Sequence, residues 1–205
     1  HSTSAAASSL TAGQHIRLTA TGAGQASNLT VQGADLKAGQ DIALAADNQI
    51  KLLAAEQTAS QTSSNKSQSG AIGISIGSNT GITLSASQAR GNADGNDQTY
   101  RNTHLEAGNR LTLASGGDTT VQGAVAKAHQ IVASIGGDLH IESLQDSSQY
   151  ASQQKSAGGS LTIGAGVSGS LNLGKSKAKS DYLSVQEQSG FFAGDGGFQV
   201  NVQGD

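Results

Sequence analysis

Cysteine, proline, methionine and tryptophan are all missing from this chain of 205 residues, and tyrosine and phenylalanine number three each. Without cysteine there is no disulfide and no thiolate metal site; the lack suits a protein exported through an oxidising compartment. Proline would delete a ladder hydrogen bond from a central strand, so its absence fits a chain that is mostly sheet. A globular enzyme of this length would carry about ten prolines and several Trp or Met residues. Charge is scarce too. Asp, Glu, Lys and Arg make up 13% and the net charge is −3, so nucleic acid, which needs a basic face, is not an expected partner. No apolar run approaches the ~18 residues of a membrane helix. The opening "HSTSAAASS" has no basic start followed by an apolar stretch. An export signal is therefore expected to lie outside this sequence, with His1 and Ser2 read as a cloning remnant.

Small residues fill the chain instead. Glycine occupies 28 positions, about twice its ordinary share of ~7%, and the apolar residues are mostly Leu, Ile and Val. Such a mixture suits either disorder or a repetitive β-architecture whose narrow core needs only thin aliphatic layers. The order of residues chooses between them. Apolar-x-apolar triplets recur as "HIRL", "NLTV", "DIAL", "QIKL", "GISI", "GITL", "RLTL", "DLHI", "SLTI" and "SLNL". Most follow a small turn: "AGQ" at Ala12 and Ala38, "AGN" at Ala107, "GGD" at Gly116 and Gly136. Period-2 alternation between glycine turns is a strand pattern. The stretch from Ala54 to Gln68 is helix-compatible in composition but has no apolar stripe, so no helix is assigned there.

A longer period overlies the triplets. "TVQGADLKAGQ" at Thr30–Gln40 returns ninety positions on as "TVQGAVAKAHQ" at Thr120–Gln130. "QTASQ" at Gln57 answers "QYASQ" at Gln149, "GISIG" and "GITLSAS" from Gly73 answer "LTIGAG" and "SLNLGKS" from Leu161, and "LEAGNRLTL" at Leu105 answers "FFAGDGGFQV" at Phe191. Residues 1–205 are thus expected to be one continuous fragment: a lead-in at 1–29, a long repeat at 30–119, and a second, truncated repeat at 120–205. A fixed long period indicates a solenoid or array. The abrupt ends suggest a piece of something longer.

A strand of three to five residues cannot bury its apolar face alone, but it can when stacked on an equivalent strand about 4.8 Å away. Chain turns stacked in this way make a parallel β-helix, with the triplet Ile, Leu and Val residues inside and Arg17, Lys51, Thr112, His140 and Asn172 outside. The part from "QYASQQKS" through "DYLSVQEQ" differs, with longer, alternating strands rich in Ser, Gln and Lys. It is expected to form antiparallel strands extending from the coil and lengthening one face. Its first-copy counterpart is expected to end in a loop, "RGNADGNDQ".

The segments "GGDTTVQGA", "GGDLHIESLQDSSQYASQQKSAGGS" and above all "DYLSVQEQSGFFAGDGGFQVNVQGD" at Asp181–Asp205 resemble the hemagglutinin repeat of large bacterial exoproteins. That family includes filamentous hemagglutinin-like adhesins and contact-dependent growth-inhibition effectors. The resemblance implies an all-β, right-handed parallel β-helix, secreted by a two-partner route through an outer-membrane β-barrel transporter and displayed at the bacterial cell surface. It implies a non-enzymatic structural segment that assists toxin delivery into target bacteria, touching the target-cell surface or envelope. The alternative is the shaft or binding face of an adhesin. Membrane contact stays open: "GSLTIGAG" and "SGSLNLG" would suit a membrane strand or a solenoid equally.

Several motifs carry a chemical reading that their context weakens. "GSLNLGKS" at Gly169–Ser176 fits the P-loop consensus. That loop must join a strand to a helix whose N-terminus holds phosphates. Here Ser-Leu-Asn-Leu is itself a strand pattern and "KAKSDYLSV" makes no amphipathic helix, so no nucleotide is expected. "NADGND" at Asn92–Asp97 offers alternating oxygen ligands for Ca²⁺ but misplaces its glycine and lacks a closing Glu; an exposed turn is expected. His1, His15, His104, His129 and His140 make no zinc spacing. Asp118 and Asp138 are the candidates for a carboxylate pair, with corner formation as the favoured role. Lys175, Lys177 and Lys179 should share one strand face, solvated or weakly drawn to anionic lipid headgroups. Phe191 and Phe192 are expected in core packing or end stacking. No catalytic, cofactor-binding or metal-binding residue is assigned, and no cofactor is expected.

Overall fold

Alternating aliphatic triplets gain stability only when their inward faces meet equivalent faces, and the chain satisfies this by stacking strand on strand in register. A computed structural model describes residues 1–76 and 80–205; Gly77 of the "GISIG" match lies outside the described residues. The described chain is all-β, as expected, apart from a single 3-10 turn at Gly24–Ala26. It separates into two compact units.

The larger unit covers residues 2–58, 98–147 and 183–205. Its strands are β1 (Ser2–Thr3), β2 (Ser8–Ala12), β3 (His15–Ala20), β4 (Leu29–Gln32), β5 (Ala34–Ala38), β6 (Asp41–Ala46) and β7 (Ile50–Leu53), then β10 (Thr103–Ser115), β11 (Thr119–Gln122), β12 (Ala124–Ile135), β13 (Leu139–Glu142) and β16 (Gly190–Val202). Strands β8 (Ala55–Ser75) and β9 (Gly81–Arg101) run between β7 and β10; β14 (Asp146–Gly164) and β15 (Val167–Ser184) run between β13 and β16. One sheet stacks β2, β5, β10, β12 and β16 in parallel, with β3 and β6 continuing the ladder; a second stacks β4, β7, β11 and β13.

Register turns the triplets into columns. Ile16, Ile42, Leu111, Ile131 and Phe198 line up, as do Leu18, Leu44, Leu113, Ala133 and Val200. Val31, Leu52, Val121 and Ile141 make a third column on the second sheet. Beside the first corner runs a column of alanine alone: Ala12, Ala38, Ala107, Ala128 and Ala193. Ile42, Leu52, Leu105, Leu111, Leu113, Val121 and Ile131 have no exposed surface. Residues ninety apart in sequence, such as Val31 and Val121, stand two strands apart in one column.

Corners are built where only glycine fits. At the "AGQ" and "AGN" turns a Cβ on Gly39 would meet the Gly13 carbonyl oxygen at 2.1 Å, and one on Gly108 would meet the Gly39 oxygen at 2.2 Å. At the "QGA" corner Gly33 and Gly123 adopt φ +55 and +64, the left-handed region closed to most side chains.

The smaller unit comprises His1 and residues 59–97 and 148–182. Its sheet has the order β8-β9-β14-β15. Contacts run in opposite senses along neighbouring strands: Asn65 lies against Gly91, Ser69 bonds to Ser87 at 2.6 Å and Ser85 bonds to Ala71. Thr83 likewise pairs with Thr162, and Gly158 lies against Ser87. Ser160 pairs with Ser170, and Gly174 lies against Ser156. The four long strands are therefore antiparallel. In this sheet the triplets behave differently from those of the parallel stack. "GISI", "GITL", "SLTI" and "SLNL" were expected to bury their aliphatic residues; Ile72, Ile74, Leu171 and Leu173 are each more than 70% exposed, because a lone sheet covers neither of its faces.

Candidate functional site

The P-loop consensus lies wholly within β15, and every residue of Gly169–Ser176 is exposed. A phosphate-binding loop needs consecutive backbone N–H groups turned toward one point. A strand points them alternately to either side, so this segment cannot cradle a phosphate in that manner. "NADGND" is a correction to the expected turn. Asn92–Asp97 sits within β9, between β8 and β14, and pairing on both sides overrides its turn-forming composition. Gly91 permits this pairing: its absent Cβ would lie 2.5 Å from the Asn65 side chain. Among the described residues, no three His, Asp or Glu side chains are grouped to hold a metal ion.

Asp118 and Asp138 serve the "GGD" corners. The Asp118 carboxylate accepts the Asp138 N–H at 3.0 Å and a Gln49 amide hydrogen at 3.3 Å; the Asp138 carboxylate accepts the Asp205 N–H at 2.9 Å. Each carboxylate thus caps the backbone of the next strand in the stack. His15 contacts Asp41 at 3.1 Å and His140 contacts Glu142 at 3.4 Å, both at the surface. Phe191 packs against the core, whereas Phe192 is 43% exposed and stands over Lys127.

One cluster escaped the sequence reading. The His104 ring faces Asp35 through Nδ1 at 3.1 Å and Glu187 through Nε2 at 2.7 Å, while Arg101 donates to Asp35 at 2.6 Å. Nearby, Asp146 accepts the Tyr100 N–H at 2.8 Å and an amide hydrogen of Gln186, and Ser189 N–H reaches Ser143 at 2.9 Å. These bonds clamp the segment 186–189, through which the chain enters β16. Asp35 and His104 are neighbours in one column, the one signal that could have linked them.

Glu142 has a displaced acidity. Hydrogen bonds from the Gln122 amide, at 2.7 Å, and from the His140 ring hold its carboxyl below the ordinary glutamate range. A depressed folded-state pKa gives a contribution that is present above the unfolded pKa and is lost as pH falls through the folded one. A carbon-13 NMR titration should find Glu142 ionising below a glutamate in an unstructured peptide. Gln122→Ala should move it back up.

The described residues hold no helix long and apolar enough to cross a membrane. They define a class: an all-β repeat segment whose parallel strands stack in register. The family model described as Hemagglutinin repeat matches residues 1–159, and the chain belongs to that family, as the sequence resemblance implied. It is 40% identical to "Toxin CdiA" of Escherichia coli over 95% of its length, 42% identical to "Deoxyribonuclease CdiA" of Dickeya dadantii over 96%, and 43% identical to "tRNA nuclease CdiA" of Yersinia mollaretii over 95%. The chain spans 6–7% of the length of these curated relatives.

Proposed function

We propose that this chain is a non-enzymatic structural segment of a secreted, two-partner-secretion exoprotein, and that it assists toxin delivery in contact-dependent growth inhibition. One observation carries the reading. Relatives named as a deoxyribonuclease, a tRNA nuclease and a 16S rRNA endonuclease share this segment at 42–43% identity. A segment common to proteins with different named activities serves a step they have in common rather than any one cleavage. The parallel stack is taken as a right-handed β-helix, and the segment is placed at the bacterial cell surface after passage through an outer-membrane transporter. Buried aliphatic columns and carboxylate-capped corners supply the stiffness such a part requires. The test is an in-frame deletion in the full exoprotein with surface display verified. Binding to target cells should persist while killing falls to background. Loss of binding itself would instead favour an adhesive shaft.

A further inference from the structure

The antiparallel sheet has two chemically distinct faces. On one, hydroxyls pair across strands: Ser69 with Ser87, Thr83 with Thr162 and Ser160 with Ser170. The other carries the aliphatic residues toward the strand ends. Ile72, Ile74, Ile82, Leu84, Leu161 and Ile163 stand on it, exposed by between 42% and 76%. Leu171 and Leu173 of β15 share it. Exposed apolar area extending over four strands marks a surface that meets something other than water.

The same face holds a row of cations. Asn65 lies against Gly91, so Lys66 stands opposite Arg90. Gly158 lies against Ser87, so Arg90 stands opposite Lys155. Ser156 lies against Gly174, so Lys155 stands opposite Lys175. Four basic side chains therefore line up across β8, β9, β14 and β15, a row about 14 Å long at ~4.8 Å per strand. Like charges directly opposite one another destabilise a sheet. Among the described residues, none of the four has a carboxylate partner, and residues 57–93 and 147–180 contain no Asp or Glu at all. Folding gains no ion pair from this row. Between it and the aliphatic end lies a shallow groove of about 550 Å³ floored by Gly70, Ala86 and Gly159. Beyond it, Lys177 and Lys179 continue along β15, where Asp181 meets Lys179 at 3.4 Å.

We infer that this face docks on a lipid surface, with Lys66, Arg90, Lys155 and Lys175 binding headgroup phosphates and the aliphatic end resting in the acyl boundary. An apolar patch beside cations that lack carboxylate partners is complementary to an anionic amphiphile, which presents the same two chemistries side by side. A second copy of this sheet fits poorly, since face-to-face pairing would set cation rows against each other.

The proposal rests on the sheet face and not on toxin delivery, so the test uses no target cell. The whole chain is sedimented with phosphatidylcholine vesicles, with and without phosphatidylglycerol. Binding is expected only with phosphatidylglycerol and should weaken as salt rises. The joint variant Lys66→Gln, Arg90→Gln, Lys155→Gln, Lys175→Gln should lose roughly a hundredfold or more in affinity without a lower melting temperature. Should it fold poorly, Lys155→Gln and Lys175→Gln made singly should each cost about fivefold. Ile82→Ser with Leu84→Ser should weaken binding while leaving its salt dependence intact. Equal binding to phosphatidylcholine alone, no vesicle binding, or unchanged affinity in the glutamine variants overturns the inference. So does heparin binding as tight as vesicle binding with no effect of the serine pair, which would make the row a site for soluble polyanions. A concentration-dependent dimer abolished by the serine pair would also overturn it.

Discussion

Gly108→Ala should cost the parallel stack about 3 kcal/mol, the upper range for a substitution that forces a backbone shift. Its Cβ would fall 2.2 Å from the Gly39 carbonyl oxygen, an atom that cannot rotate away as a side chain would. Relief requires moving one strand from the next, and their spacing is fixed by the ladder on either side. Gly39→Ala should behave alike, its Cβ meeting the Gly13 oxygen at 2.1 Å. Gly13→Ala is the control: it occupies the same corner column, yet nothing lies within 4 Å of its Cβ. The change there should stay within about 0.5 kcal/mol. Urea denaturation of the three variants separates a close-approach requirement from glycine's backbone entropy, which all three share. Equal destabilisation by all three would mean that chain flexibility, and not the corner contact, selects glycine.

What the sequence revealed and what it hid follow from the same physics. Period-2 alternation tells which residues share a face, so the strands could be read directly. It does not tell whether a face is covered. "RLTL" and "SLNL" are alike as patterns; Leu111 and Leu113 are buried, whereas Leu171 and Leu173 are open. The difference lies in what packs above them, which depends on distant segments. Composition failed at Asn92–Asp97 for a related reason, because two-sided strand pairing outweighs local turn preference. Lys175, Lys177 and Lys179 were legible as one face of a strand. Their alignment with Lys66, Arg90 and Lys155 required the register between hairpins. The His104 cluster joins positions 35, 101, 104 and 187, with no local spacing to betray it.

The two leucines of that comparison make the second large prediction. Leu111→Ala removes a fully buried side chain between Ile42 and Ile131 in its column. Neighbours on both sides are held by ladder hydrogen bonds, so the cavity cannot collapse. The loss should be about 3–5 kcal/mol, a fall in melting temperature on the order of 10 °C for a chain of this size. Leu171→Ala deletes the same atoms from an exposed face and should change stability by about 0.5 kcal/mol or less. It should instead lower vesicle affinity, because the side chain lines the groove beside the cation row of the docking face. Thermal melts and vesicle sedimentation on this pair therefore give opposite readouts from one chemical change. A large loss of stability from Leu171→Ala would mean that the sheet face is covered in solution, and the lipid-docking inference would fall with it. Unchanged stability with weakened binding would instead assign two triplets of the same pattern to different work: one holds the stack together, the other meets the surface outside it.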